Sequence, residues 1–380
     1  MIRVLADQNM VGLDLLPSNE LDIRTLPGRS ISTADLEGVD ALWVRSVTPV
    51  TQALVQNSQL RFVGTATAGV EHIDQDALAA QGISFAAAPG ANANSVVEYV
   101  LAALAELHEP WELLEEGDTL GIVGHGHVGR LLTQVAKDLG WHVKVHDPWL
   151  ADKDVEGDWA SLQEILDCRV ISLHCSLHKQ SPWPSYHLID AAALAVLDSS
   201  QWLINAARGA VIDNRALLEH LQRKNPVNCV LDVWEGEPEC DWALLAMPSL
   251  KLASAHIAGY SWDAKWKATK MLYETLRNKQ LVESPIQIDE NAVVDLAPLH
   301  GVGCSAAREL IRQRYAIGED DLLFRNLDKL PAAERAAGFD ALRRGYRKRE
   351  ELRGTRLPLV RDEVSPELGR VARALGVVAG

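Results

Sequence analysis

Cysteine is scarce in this chain. The 380 residues hold five, at Cys168, Cys175, Cys229, Cys240 and Cys304, an odd number with no C-x-x-C pair and no metal-ligand spacing. That excludes a disulfide framework and a structural zinc site, and no metal is expected; reduced thiols in a cytoplasmic protein are the simplest reading. Basic charge is also short, with 37 Lys and Arg against 52 Asp and Glu and a formal net charge of −15. Nucleic acid and anionic membrane are therefore not expected partners. An anionic substrate would need local arginines to overcome the overall field. No apolar run approaches the length that crosses a bilayer, and Met1-Ile2-Arg3-Val4-Leu5-Ala6-Asp7 already reads as a strand rather than a signal peptide.

What the chain does have is core-forming residues, 47% of the total, over a length that suits two to three domains. The stretch Thr119-Leu120-Gly121-Ile122-Val123 runs into Gly-x-Gly-x-x-Gly at Gly124, Gly126 and Gly129, and a helical pattern follows to a stop at Gly140. Between a strand and a helix these glycines have distinct uses: a tight turn, close approach of backbone to a pyrophosphate, and close packing of helix on strand. The free N–H groups at the helix start then face phosphate. A second strand, Trp141 to His146, ends at Asp147, 18 residues beyond Gly129. This is close to the spacing of about 20 expected of an acid that binds ribose hydroxyls. With no Arg beside it, Asp147 favours NAD over NADP.

Residues 1 to about 92 alternate short apolar strands (2–6, 41–44, 61–64, 83–86) with turns and helical pieces, the pattern of a small α/β domain. Ligands of such sheets bind beyond the carboxyl ends of the strands, which singles out the loops Arg45-Ser46-Val47-Thr48 and Thr65-Ala66-Thr67-Ala68-Gly69. Ordinary turn and capping chemistry is the competing reading for both. A helix apolar nearly all round follows from about Asn94 to Leu107. From Thr119 to about His256 strand and helix repeat, making about six parallel strands in a doubly wound sheet. A helix over 264–278 is expected to return to the first domain, and 285–298 reads as a linker or strand. Beyond it the tail is rich in arginine, and an amphipathic helix from near Pro331 is expected to carry the run Arg343 to Glu351. Association with a second copy is the preferred use of this tail.

Three later strands end in chemistry-bearing residues: Asn205-Ala206-Ala207-Arg208-Gly209, Asp232-Val233-Trp234-Glu235-Gly236-Glu237 and Ala255-His256-Ile257-Ala258-Gly259. Each type has an ordinary structural use, but an Arg, an acid and a His on neighbouring strand ends would face one cleft. Hydride removal from a secondary alcohol needs a base for the hydroxyl proton, and His suits it. A carboxylate on the far ring nitrogen would orient that His. A guanidinium would grip a substrate carboxylate through two bonds.

The segments INAARGAVID (204–213), LDVWEGEP (231–238) and His256-Ile257-Ala258-Gly259 resemble signature segments of the D-isomer-specific 2-hydroxyacid dehydrogenases. The resemblance implies a fold: a Rossmann-type doubly wound parallel sheet over 93–256, a split flavodoxin-like α/β substrate (lid) domain from 1–92 plus 257–285, and a C-terminal α+β dimerisation domain over 286–380. It implies Arg208, Glu237 and His256 as the catalytic set. NAD contacts follow at Gly124, Gly126, His127, Val128, Gly129, Asp147, Cys175, Ala206, Ala207, Arg208, Asp232 and Gly259. Further segments, including Val44 to Thr48, Phe62 to Gly69 and the tail stretch Phe339 to Tyr346, resemble homodimeric members that act on a small phosphorylated sugar acid. They imply Arg45, Ser46, Thr67 and Tyr260 as substrate contacts. Three features depart from the family: Ala255 where Pro usually precedes the histidine, Ser176-Leu177 where Pro-Leu is common, and a longer loop from Lys179 to His187. Phosphoglycerate or glycerate as substrate, or an NAD-responsive regulatory protein, remain the alternatives.

Overall fold

The computed structural model describes residues 1–153, 157–286, 304–357 and 366–379. They divide into two compact units, Met1–Ala93 with 260–286, and Asn94–Gly259 with the described tail.

The first unit holds five parallel strands: β1 (Ile2–Asp7), β2 (Leu21–Leu26), β3 (Ala41–Val44), β4 (Phe62–Thr65) and β5 (Ser84–Ala87), in the order β2-β1-β3-β4-β5. All four residues of β3 and of β4 are buried, as strands covered on both faces must be. Strand β2 was not expected from the sequence. It lies at the sheet edge and buries only Leu21, so its Asp, Arg and Thr leave no apolar pattern to read. The returning helix is there: Trp262–Asn278 buries Ala264, Trp266, Ala268, Leu272, Tyr273 and Leu276 at helical spacing. Its apolar side joins Ile2, Val4, Trp43 and Phe62 in one core. Ser261 caps its first turn, accepting from the Ala264 N–H at 3.0 Å.

The second unit holds six parallel strands: β6 (Thr119–Val123), β7 (His142–His146), β8 (Val170–Leu173), β9 (Trp202–Asn205), β10 (Asn228–Leu231) and β11 (Leu250–Ala253). Their order, β11-β10-β9-β8-β6-β7, reverses direction at β6, whose neighbours are β7 on one side and β8 on the other. Beyond the carboxyl ends of β6 and β8 lies the switch point where ligands bind in such sheets. The helix Ala93–Leu107 is buried through most of its length, in keeping with a surface that is apolar except at Asn94, Ser95, Glu98 and Glu106.

The described tail packs into this second unit. Phe324 and Phe339 share a core with Leu231, Trp234 and Ala253, and the Phe324 ring lies 5.0 Å from that of Trp234. The helix Ile317–Arg325 also closes the sheet edge at β11. Asp321 takes the Ala253 N–H at 2.8 Å, and Arg325 donates to the Leu250 carbonyl at 2.7 Å. A strand edge left open would be a template for unwanted pairing. The helix expected from Pro331 to Glu351 is shorter than that: Ala332–Arg344 ends at Gly345, and residues 347–351 are irregular. The linker expected over 285–298 lies outside the described residues except for its first two positions. Among the described residues, no helix is long and apolar enough to cross a membrane.

Candidate active site

The glycine loop joins β6 to the helix His127–Leu139, and each glycine has a steric reason. Gly124 sits at φ +91°, and a Cβ there would come within 2.6 Å of the Cys175 nitrogen, because the turn crosses the end of β8. A Cβ on Gly129 would lie 1.9 Å from the Gly124 carbonyl oxygen, so the helix can pack this close only without one. Gly126 differs: a Cβ there would meet nothing within 4 Å. It is the helix N-cap and has no side-chain cap, so the first N–H groups of the helix are left to face that open space. Asp147, at the end of β7, accepts from the His125 N–H at 2.8 Å and the Leu150 N–H at 3.2 Å. A carboxylate has about four acceptor positions, so Asp147 retains capacity for ribose hydroxyls. These residues fit NAD. His127 is exposed and Val128 half-buried on the helix's first turn. Ala206 and Ala207 line the loop after β9, and both are nearly buried.

Arg208 follows β9. Asn205 shapes its loop, accepting from the Ala207 N–H and donating to the Arg208 carbonyl, both at 3.1 Å. At Gly209 a Cβ would fall 1.9 Å from the Trp234 carbonyl carbon, so the loops after β9 and β10 press together there. Asp232, 1% exposed at the end of β10, reaches across to the loop after β11. Its carboxylate accepts from Ser254 Oγ at 2.7 Å, the Ile257 N–H at 2.8 Å and the Ala258 N–H at 2.9 Å. Its own carbonyl takes the His256 N–H at 2.6 Å. Asp232, implied as a cofactor contact, thus spends most of its acceptor capacity holding the histidine segment.

His256 takes a left-handed backbone conformation, φ 55°. Its Nδ1 is hydrogen-bonded to Glu237 Oε1, and both side chains are about a quarter exposed. Glu237 Oε2 accepts from the Trp234 N–H at 3.1 Å. Burial pushes the Glu237 carboxyl up, but the imidazole of His256 and the guanidinium of Arg343 outweigh it, and the net shift is downward. With Nδ1 engaged by a carboxylate, Nε2 is the ring nitrogen that could exchange a proton with a bound molecule. The buried thiols are not poised to react: desolvation raises Cys168 to about 11 and Cys229 to about 12.

In the first unit, Arg45 and Ser46 follow β3, and Thr67 follows β4 at the same sheet end. The Arg45 guanidinium lies 5.3 Å from the Tyr260 ring, and Lys265 Nζ lies 4.7 Å from it. Two cations on one ring make a local positive patch in an acidic chain. Lys265 carries no sequence signal of its own, because it falls inside a helix of ordinary composition. The Thr67 hydroxyl donates to the Gly69 carbonyl at 2.7 Å and lies 2.7 Å from Thr65 Oγ1. Of the tail arginines, Arg314, Arg325, Arg335 and Arg347 pair at 2.6–2.9 Å with acids of this same chain.

The longer loop from Lys179 to His187 is tied down at Glu235, two residues before Glu237. His187 Nε2 lies 2.8 Å from Glu235 Oε1, its Nδ1 lies 3.6 Å from Asp213, and its N–H donates to the Ala210 carbonyl at 2.8 Å. These three side chains could together offer metal-ligand atoms, but here they bond one another and brace the loops around Arg208 and Glu237.

Comparison with known proteins gives the family. The profile of the "D-isomer specific 2-hydroxyacid dehydrogenase, NAD binding domain" matches residues 108–258. Erythronate-4-phosphate dehydrogenase of Pseudomonas aeruginosa is 40% identical over 383 aligned positions, covering 99% of each chain. That of Pseudomonas savastanoi pv. phaseolicola is 41% identical over 389, covering 99% of this chain and all of the relative. Among solved structures, apo D-lactate dehydrogenase of Escherichia coli superposes with TM-score 0.60 at 18% identity, covering 75% of this chain and 99% of that one. D-lactate dehydrogenase of Aquifex aeolicus with NAD and lactic acid gives 0.54 at 20%, covering 73% and 95%; at such identities both show the fold alone. Fold and site together define an NAD-dependent 2-hydroxyacid dehydrogenase. The chain belongs to the erythronate-4-phosphate dehydrogenase family within that class.

Proposed function

We propose that the enzyme oxidises 4-phospho-D-erythronate at C2 to (R)-3-hydroxy-2-oxo-4-phosphobutanoate, in the cytoplasmic route to pyridoxine 5'-phosphate. NAD, when bound, accepts the hydride from C2. His256 Nε2 accepts the C2-hydroxyl proton, while Glu237 orients the ring and stabilises the imidazolium that forms. Arg208 takes the C1 carboxylate and polarises the adjacent oxygen. Arg45, Ser46 and the Lys265 ammonium take the phosphate, with Thr67 and Tyr260 fixing the carbon chain. Residues 1–92 with 257–285 act as the substrate lid. The protein works as a homodimer through its tail, whose helix Ile317–Arg325 leaves Leu322 and Leu323 exposed.

The observation that carries this reading is the His256–Glu237 hydrogen bond on Nδ1, one strand end away from Arg208. The test compares 4-phosphoerythronate, erythronate and 3-phosphoglycerate as hydride donors, followed by NADH absorbance. 4-Phosphoerythronate is expected to lead by a wide margin; equal rates with erythronate would remove the phosphate site. His256→Ala is expected to lower kcat by roughly two to four decades with NAD affinity retained. A variant with near-normal turnover would remove His256 as the base.

A further inference from the structure

The arginine-rich tail is left without a chemical use by the reading above, yet one of its arginines ends against the catalytic histidine's own segment. We propose that Arg349 is a positioning residue for His256: it clamps the segment His256–Gly259 from behind, through the Ala258 carbonyl, against the grip of Asp232. The proposal rests on the assignment of His256 as the proton acceptor.

Ala258 is held at both ends of its backbone. Its N–H goes to Asp232 at 2.9 Å, and its carbonyl accepts from Ser95 Oγ at 2.7 Å and from Arg349 Nη2 at 3.1 Å. Arg349 Nη2 also donates to Ser95 Oγ at 2.5 Å, so hydroxyl and guanidinium act on the carbonyl as a unit. The guanidinium is itself immobilised. It is 3% exposed, lies 4.2 Å from the Tyr315 ring centre and pairs with Glu98 at 3.4 Å. Glu98 in turn accepts from Asn94 Nδ2 at 2.9 Å and the Leu352 N–H at 2.7 Å. A second route reaches the same place: Tyr315 packs on Tyr99 with ring centres 6.2 Å apart, Tyr99 Oη is 2.8 Å from Ser254 Oγ, and Ser254 donates to Asp232 at 2.7 Å.

A tail that only needed to stick would do as well with apolar contacts, because desolvating an ion pair offsets most of its attraction. What the buried pair supplies is direction, a fixed donor aimed at one carbonyl two residues from the base. A base displaced by about 1 Å can lose roughly 100-fold in rate. Burial raises the Glu98 carboxyl to about 7 against the opposing pull of Arg349, which fits a pair held in place by surrounding structure.

The test uses the full-length enzyme and three variants. Arg349→Met keeps the volume and removes the donors, Arg349→Lys restores a charge opposite Glu98, and Arg314→Met breaks a different tail ion pair, that with Glu350. Amide hydrogen exchange of the peptide containing Ile257 and Ala258 is measured without substrate, beside kcat, KM and NADH affinity. Arg349→Met is expected to speed that exchange about tenfold or more and to lower kcat by roughly 10- to 100-fold, with NADH affinity within about threefold of the parent. Arg349→Lys should recover part of both losses, and Arg314→Met should leave both unchanged. Unchanged exchange and kcat in Arg349→Met and Arg349→Lys would overturn the proposal, and so would an Arg314→Met enzyme with the same losses. If the parent enzyme oxidises no 2-hydroxy acid, the assignment of His256 falls, while the exchange measurement still decides the clamp.

Discussion

Gly126 and Gly129 are three residues apart in one loop, and their surroundings demand opposite outcomes from the same substitution. At Gly126, φ is −74° and a Cβ meets nothing within 4 Å, so alanine enters without strain. Replacing a glycine N-cap by alanine costs up to about 1 kcal/mol. Reduced freedom of the unfolded chain returns about 0.4–1 kcal/mol, so stability should stay within about 1 kcal/mol of the parent. The added methyl instead occupies the open space beside the helix start, where the glycine motif is expected to bring pyrophosphate against backbone. We expect NADH affinity to fall by about tenfold or more, equivalent to about 1.4 kcal/mol. At Gly129 the Cβ would be 1.9 Å from the Gly124 oxygen, well inside contact distance, and both are backbone-determined positions with no flexible side chain to yield. Helix and turn must separate by more than 1 Å, and overpacking on that scale costs about 1–3 kcal/mol or more. Urea unfolding without cofactor reads stability, and quenching of tryptophan fluorescence by NADH reads affinity. Gly126→Ala with unchanged NADH affinity would refute the placement of the cofactor, and Gly129→Ala with unchanged stability would refute the packing.

Two further outcomes follow from buried acids. In Asp232→Asn one carboxylate oxygen becomes an NH₂ facing either the Ala258 N–H or the Ile257 N–H and Ser254 hydroxyl, which leaves at least one buried donor unsatisfied. Urea unfolding without NAD should show a loss of about 1–3 kcal/mol, and an isostable variant would contradict the latch. For Glu98, the folded carboxyl titrates at about 7 and the unfolded one near 4.5. Between those values the folded protein keeps a proton that the unfolded chain has lost, so stability falls as pH rises through this window and levels off above it. The Glu98→Gln variant lacks this slope, and a difference between the two proteins that is independent of pH from 4.5 to 7 would refute it.

The inner strands of the nucleotide sheet were legible because strands covered on both faces read as short apolar runs, as in Val170-Ile171-Ser172-Leu173 and Trp202-Leu203-Ile204-Asn205, while the edge strand His142–His146, with only Val145 buried, was legible from its place after the glycine motif and its helix. Arg208, Glu237 and His256 were legible because they stand where such runs end. Strand β2 was not, since an edge strand with one buried residue has little apolar pattern and no motif precedes this one to mark its place. The reach of Asp232 across to the Ile257 and Ala258 amides was equally hidden, because backbone donors have no letter in a sequence. Arg349 was misplaced by its neighbours: Arg343 to Glu351 has helical amphipathicity, but the helix ends at Gly345 and the chain beyond it turns inward. Its partner Glu98 lies some 250 positions earlier, with nothing local to couple the two.

The left-handed conformation of His256 shows why these hidden contacts bear on the direction of its ring. A non-glycine residue at φ 55° is held there at a cost of about 1–3 kcal/mol. Three bonds to Asp232 bracket it, from the N–H groups of His256, Ile257 and Ala258. At about 1 kcal/mol net for each, with more for those to a carboxylate, they offset that cost. The ring direction is therefore set by the backbone of residues 256–258, and Glu237 selects which nitrogen faces outward. With His256 as the proposed base, a substitution at Asp232 is expected to lower turnover without touching substrate, by releasing the strained backbone that directs the imidazole; unchanged kcat in Asp232→Asn would refute this.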